Sequence, residues 1–161
     1  MNILFLTLAN IDIQKRGIYS DLMRCFVSHG CSLYIVSPTE RRNKKHTFLS
    51  KDRNIHYLRV RTLNIQKTNI LEKGIATLLL EKQFCSAIKK YFADVYFDMV
   101  LYSTPPITFA NVIKYIKKKT PSTISYLLLK DIFPQNAVDL GMFTKKHILY
   151  HFFRHKEKQL Y

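Results

Sequence analysis

Two short clusters hold the side chains in this chain best suited to chemistry. Lys130 and Asp131 follow the apolar run STISYLLL, and Ser103-Thr104-Pro105-Pro106 follows FDMVLYS. Each sits where a strand should give way to a loop, and in open parallel sheets ligands bind outside the carboxyl ends of the strands. The N–H groups opening a helix after Pro106 favour a negative group, and the Lys130 ammonium adds a full charge, so the pair describes an anion site. A plainer alternative stays open on the residues alone: an ordinary strand-to-helix turn with a capping Thr and a surface ion pair.

Other constellations are weaker. His147, His151 and His155 recur at i, i+4, i+8 and share one helix face, but Lys146, Arg154, Lys156 and Lys158 crowd them, so a solvated basic face is expected and no metal. Arg41 and Arg42 after the second strand are placed like residues that read a 2′-phosphate. The G-x-G-x-x-G turn of a dinucleotide fold is nevertheless absent, with only Gly17 in the first loop, so no cofactor is expected. Cys25, Cys31 and Cys85 are odd in number and widely spaced among apolar neighbours, which suits reduced core thiols.

The chain of 161 residues carries 26 Lys+Arg against 11 Asp+Glu, a net charge of +15, concentrated in 41–61, in 114–119 and in the last segment. Such a field favours an anionic partner. Nucleic-acid binding would need exposed aromatics for stacking. The 10 Tyr and 11 Phe fall instead mostly at core-facing spacings, and no groove-reading motif is present, which disfavours that partner. An anionic membrane surface accounts for the charge at least as well, since Phe152 and Phe153 stand beside basic residues. No run is long enough to span a bilayer and the N-terminus lacks a signal-peptide pattern, so the expected compartment is the cytoplasm.

The elements that position these residues alternate. Apolar runs at 2–8, 31–38, 54–61, 97–103 and 122–129 read as strands, with a long basic loop between the second and third. Helical spacing appears in 16–30, where Ile18, Leu22 and Phe26 recur at fourfold spacing before Gly30. It appears again in 70–92, whose apolar residues spread round the helix as if buried on two sides or laid on a membrane, then after Pro106, and from Thr144 onward. The pattern predicts an α/β, Rossmann-like doubly wound parallel sheet with helices on both faces, in a single domain over 1–161. Such domains commonly run to about six strands. Five are visible before a final charged helix, so the chain reads as the front portion of something longer.

With these segments in order, the chain resembles a family. KRGIYSDLMRCFVSHGCSLYIVSP, DMVLYSTPPITFANVI, LLLKDIFPQNAVDLG and RHKEKQLY look like the N-terminal domain of family-4 glycosyltransferases of the bacterial O-antigen, capsule and colanic acid type. In that branch the fourth strand is followed by Ser-Pro-Pro and the fifth by Arg-Asp-Leu-Trp-Pro-Glu. Lys130 here replaces the Arg, keeping its charge without its planar fork, and Gln135 replaces the Glu. The resemblance implies the N-terminal, acceptor-side half of a GT-B architecture without its donor-binding C-terminal domain. It implies a retaining enzyme that transfers a sugar from a nucleotide-sugar to a lipid-linked glycan in polysaccharide synthesis, this half being inactive alone. Gly17, Ser103, Thr104, Lys130 and Asp131 would then contact substrate, with Gly17 admitting a phosphate to the backbone. Arg41, Arg42, Lys44, Lys45, Arg154 and Lys158 would face an anionic membrane, placing the protein peripherally on the inner face of the plasma membrane. Alternatives are a non-catalytic, membrane-recruiting subunit that pairs with a separate donor-binding protein, and a basic nucleic-acid-binding domain.

Overall fold

The computed structural model describes residues 1–68, 70–104, 109–130, 132, 134–142 and 144–159. Among these residues six strands form one sheet: β1 (Asn2–Leu6), β2 (Ser32–Glu40), β3 (Phe48–Asp52), β4 (Ile55–Thr62), β5 (Met99–Ser103) and β6 (Ile124–Leu128). Five α-helices among the same residues accompany them: α1 (Ile18–Ser28), α2 (Ile70–Tyr91), α3 (Ala110–Lys119), α4 (Gln135–Asp139) and α5 (Ile148–Lys158). The spatial order is β3-β4-β2-β1-β5-β6. The last five strands in that order are parallel, the doubly wound arrangement expected from the alternating pattern.

The sheet is mixed rather than all parallel, because the basic segment expected as a loop contains β3, paired antiparallel to β4 through a turn at Arg53 and Asn54. Its sequence FLSKD has no alternating apolar face and all five residues are exposed, so periodicity gave no signal. The charges of Lys51 and Asp52 suit an outer edge that must not recruit another strand.

Central strands are apolar on both faces, and the sheet sorts them. Ile3, Phe5, Leu33, Ile35 and Leu101 pack with Met23 of α1. Leu4, Leu6, Val36, Leu58 and Val100 pack with α2 and α3 on the other face, where Phe84 stacks on Phe109 with ring centroids 5.4 Å apart. Each buried phenylalanine contributes about 2–3 kcal/mol of transfer free energy. Phe153 brings α5 to the same side.

Three expectations need adjustment. The run ending in β6 belongs to an edge strand, paired only with β5, and Ile124 and Tyr126 remain exposed. Ile18 opens α1 in the first turn and faces solvent, so the buried stripe of that helix centres on Met23. In α2, Ala76, Leu80, Phe84 and Ile88 are buried while Ile75, Leu78 and Leu79 are exposed, which explains the spread of apolar residues round it. No helix among the described residues is long and apolar enough to cross a membrane. The three thiols are free; Cys31 is buried and Cys85 half-buried, whereas Cys25 is exposed on α1.

Candidate functional site at the carboxyl ends of β1, β5 and β6

Where β1 ends, the chain enters a loop that is held rather than loose. The Thr7 hydroxyl accepts the Ala9 N–H at 3.0 Å, and the Asp12 carboxylate accepts the Gln14 N–H at 3.0 Å, two local turns that redirect the backbone. Helix α1 grips the loop from one side, Ser20 Oγ donating to the Asp12 carbonyl at 2.9 Å and Arg24 to the carbonyls of Ile13 at 2.6 Å and Lys15 at 3.1 Å. From below, Arg59 of β4 donates to the Ile11 carbonyl at 2.9 Å and to Ser37 Oγ. Burial lowers the pKa of this guanidinium from its ordinary value. Its neighbour Tyr57 has its phenol pushed up by burial, with Asp52 adding to the effect. Between the loop and the β3–β4 hairpin lies a polar groove of about 370 Å³.

The loop delivers Gly17 to the start of α1. Its φ of 163° is extended backbone that any residue adopts, and an added Cβ would meet only Ser20 Oγ, at 4.0 Å. Nothing among the described residues therefore requires glycine there. The first α1 N–H bonded inside the helix is that of Asp21, to the Gly17 carbonyl at 2.8 Å, and no described side chain caps the N–H groups before it.

Lys130 comes to the same place from β6. Its Nζ lies 4.0 Å from the centroid of the Tyr19 ring, and its backbone N–H donates to Thr104 Oγ1 at 3.1 Å. The residues ending β5 and β6 are thus joined directly, and the cation is seated over an aromatic face on the first turn of α1. Tyr19 was not singled out by the sequence, being more than a hundred positions away.

Ser103 and Thr104 are placed differently from a pair of displayed hydroxyls. Both are buried, at 3% and 1% exposure, and the Thr104 hydroxyl faces the Lys130 backbone. Thr104 fixes the junction that carries Lys130. Asp131, Pro105 and Pro106 lie outside the described residues.

The start of α3 also departs from the simple anion-site picture. Glu81 of α2, 8% exposed, accepts both the backbone N–H and the side-chain amide of Asn111, in the first turn of α3. A negative group does sit at that helix terminus, and the protein supplies it. The same carboxylate lies 3.7 Å from Lys156 Nζ, so Glu81 links α2, α3 and α5. An acid beside Leu80 in a largely apolar helix was the available signal.

The six basic residues expected at a membrane divide. Arg42 contacts Glu40 at 2.7 Å, the Asn64 side chain and the Gln66 carbonyl, and Arg41 lies 3.6 Å from Glu72. These two cations staple the 3₁₀ turn at Arg41–Asn43 to the segment after β4. Arg154 pairs with Glu157, whereas Lys44, Lys45 and Lys158 are exposed. No group of three or more potential metal ligands occurs among the described residues, and His155 contacts Gln159 at 2.9 Å.

Strand order and layering make this a Rossmann-like α/β domain. The chain is similar in structure to an E. coli GT-B glycosyltransferase, the trehalose-6-phosphate protein bound with UDP-2-fluoro glucose, with a TM-score of 0.65 at 7% identity. The likeness covers 99% of this chain and 38% of that one, so this chain spans less than half the length of that protein. No protein-family model and no curated protein sequence matches the chain.

Proposed function

We propose that this chain is the acceptor-side domain of a retaining glycosyltransferase. In this reading it presents a lipid-linked glycan to a nucleotide-sugar held by a second Rossmann-like domain, in the same polypeptide or a separate one. The observation that carries the proposal is the seating of Lys130 on Tyr19 beside the N-terminus of α1. A cation seated on the first turn of a helix suits the diphosphate of a lipid-linked acceptor, and the bare Cα of Gly17 lets phosphate reach the backbone. Thr104 acts by position, holding the Lys130 backbone at the sheet edge. Asp131, the next residue, would orient an acceptor hydroxyl. The net charge of +15, with Lys44, Lys45 and Lys158 exposed, supports approach to an anionic membrane from the cytoplasmic side. Catalysis depends on holding both reactants in one geometry, so this domain alone gives no appreciable turnover.

The test is binding of a polyprenyl-diphosphate-linked glycan in detergent to the purified chain. Lys130 is exposed, so Lys130→Ala leaves folding intact and is expected to weaken binding about tenfold, the scale of one charge-assisted phosphate contact. Lys130→Arg retains most of the affinity. Unchanged affinity in Lys130→Ala would remove the basis of the proposal.

A further inference from the structure

On the sheet face opposite the Lys130 and Tyr19 junction, a groove of about 450 Å³ runs beside the free edge of β6. Lys114, Lys117 and Lys118 of α3 line it at i, i+3, i+4, so three ammonium groups project from one side of the helix. All three are exposed, and none has an ion pair or hydrogen bond with another described residue. Nearby lysines are spent on the protein itself. Lys119 donates to the Ala93 and Val95 carbonyls, Lys89 sits 4.9 Å from the Tyr115 ring, and Lys156 pairs with Glu81.

Among the described residues no carboxylate lines the groove. Like charges at this spacing repel by a few tenths of a kcal/mol per pair, with no compensating ion pair among the described residues. The helix dipole favours Lys117 and Lys118 in the last turn but not Lys114, which lies a full turn earlier. Beneath the ammonium groups, Tyr102 and Ile113 make an apolar floor, with Ser125 and Gln159 supplying polar side chains at the rim.

We propose that this groove binds a phosphate-bearing anion. Phosphate oxygens would lie among the three lysines, and an attached apolar portion would lie along Tyr102 and Ile113. A soluble phosphate and a phospholipid headgroup share this chemistry. The site is separate from the Lys130 junction and stands whether or not the domain serves sugar transfer.

The test uses the whole chain with two probes, inorganic pyrophosphate followed by calorimetry and phosphatidylglycerol-containing vesicles followed by co-sedimentation. Replacing Lys114→Ala, Lys117→Ala and Lys118→Ala together is expected to weaken at least one of the two about tenfold or more. The corresponding triple replacement by Arg is expected to retain it within about threefold. A loss confined to pyrophosphate identifies a soluble phosphate, and a loss confined to vesicles identifies a lipid headgroup. A control triple, Lys51→Ala with Lys67→Ala and Lys82→Ala, removes equal charge elsewhere and should leave both affinities unchanged. The proposal is overturned if the wild-type chain binds neither probe, if the groove triple binds both as the wild type does, or if the control triple loses as much.

Discussion

Replacing Glu81 by Ala removes a single carboxylate on which three helices depend. With its side chain 10% exposed, Glu81 meets an Asn111 N–H at the start of α3, the Asn111 amide, and Lys156 at 3.7 Å. A hydrogen bond to a charged group contributes about 1.5–3 kcal/mol, and breaking a buried ion pair from one side costs about 3–5 kcal/mol. These figures describe overlapping losses and do not add, so the expected destabilisation is about 3–4 kcal/mol. For a domain of this size each kcal/mol shifts Tm by roughly 2–4 °C, giving a fall on the order of 10 °C. Chemical denaturation followed by circular dichroism measures the free energy, and calorimetry the midpoint. Glu81→Gln keeps the shape and one acceptor and should lose roughly half as much. In the Glu81→Ala background, Lys156→Met should recover part of the loss, because the stranded ammonium is then gone. A Glu81→Ala protein within about 1 kcal/mol of wild type, or the absence of any coupling to Lys156, would refute the claim that this carboxylate joins the helices.

Two other perturbations test the supports of the site. Arg59→Met removes the donor to the Ile11 carbonyl and is expected to speed amide exchange across 10–14 while costing about 1–3 kcal/mol; unchanged exchange in that loop would mean Arg59 does not hold it. His56, stacked on Tyr34 at 4.5 Å, has its pKa lowered from 6.5 mainly by burial and further by Lys51. The unfolded chain therefore binds this proton first. Stability from His56 is full above pH 6.5 and is lost as pH falls toward the lowered folded value. His56→Phe should flatten the urea midpoint between roughly pH 7 and 5, and an identical slope in variant and wild type would show that the ring contributes nothing there.

The parallel strands were legible because their side chains are apolar on two faces, which leaves a run such as Asn2–Leu6 little alternative to the centre of a sheet. Strand β3 was not, since FLSKD is held by backbone pairing with β4 and has no buried face to produce a pattern. At the site, the sequence placed Ser103, Thr104 and Lys130 at strand ends but could not say which way they point. Burial turns both hydroxyls inward, and the partner of Lys130 is a tyrosine from the far end of the chain. In the loop after β1 the sequence pointed to Gly17 alone, because the loop's order comes from Ser20, Arg24 and Arg59, residues outside it.

Charge was the strongest signal in composition and the poorest guide to place. Arg41 and Arg42 stand in the densest basic stretch, but Glu40 immediately before them and Glu72 on α2 draw both into ion pairs. An arginine holding carboxylates and carbonyls of its own chain offers a membrane or phosphate only what remains after those bonds, and exchanging them gains little net free energy. Lysines 114, 117 and 118 present the opposite case, with full charge, mutual repulsion and no acceptor among the described residues. An arriving anion there relieves repulsion as well as forming new contacts. The free energy of anion binding therefore concentrates along α3 more than on the basic turn after β2, even though the turn is the more conspicuous in the sequence.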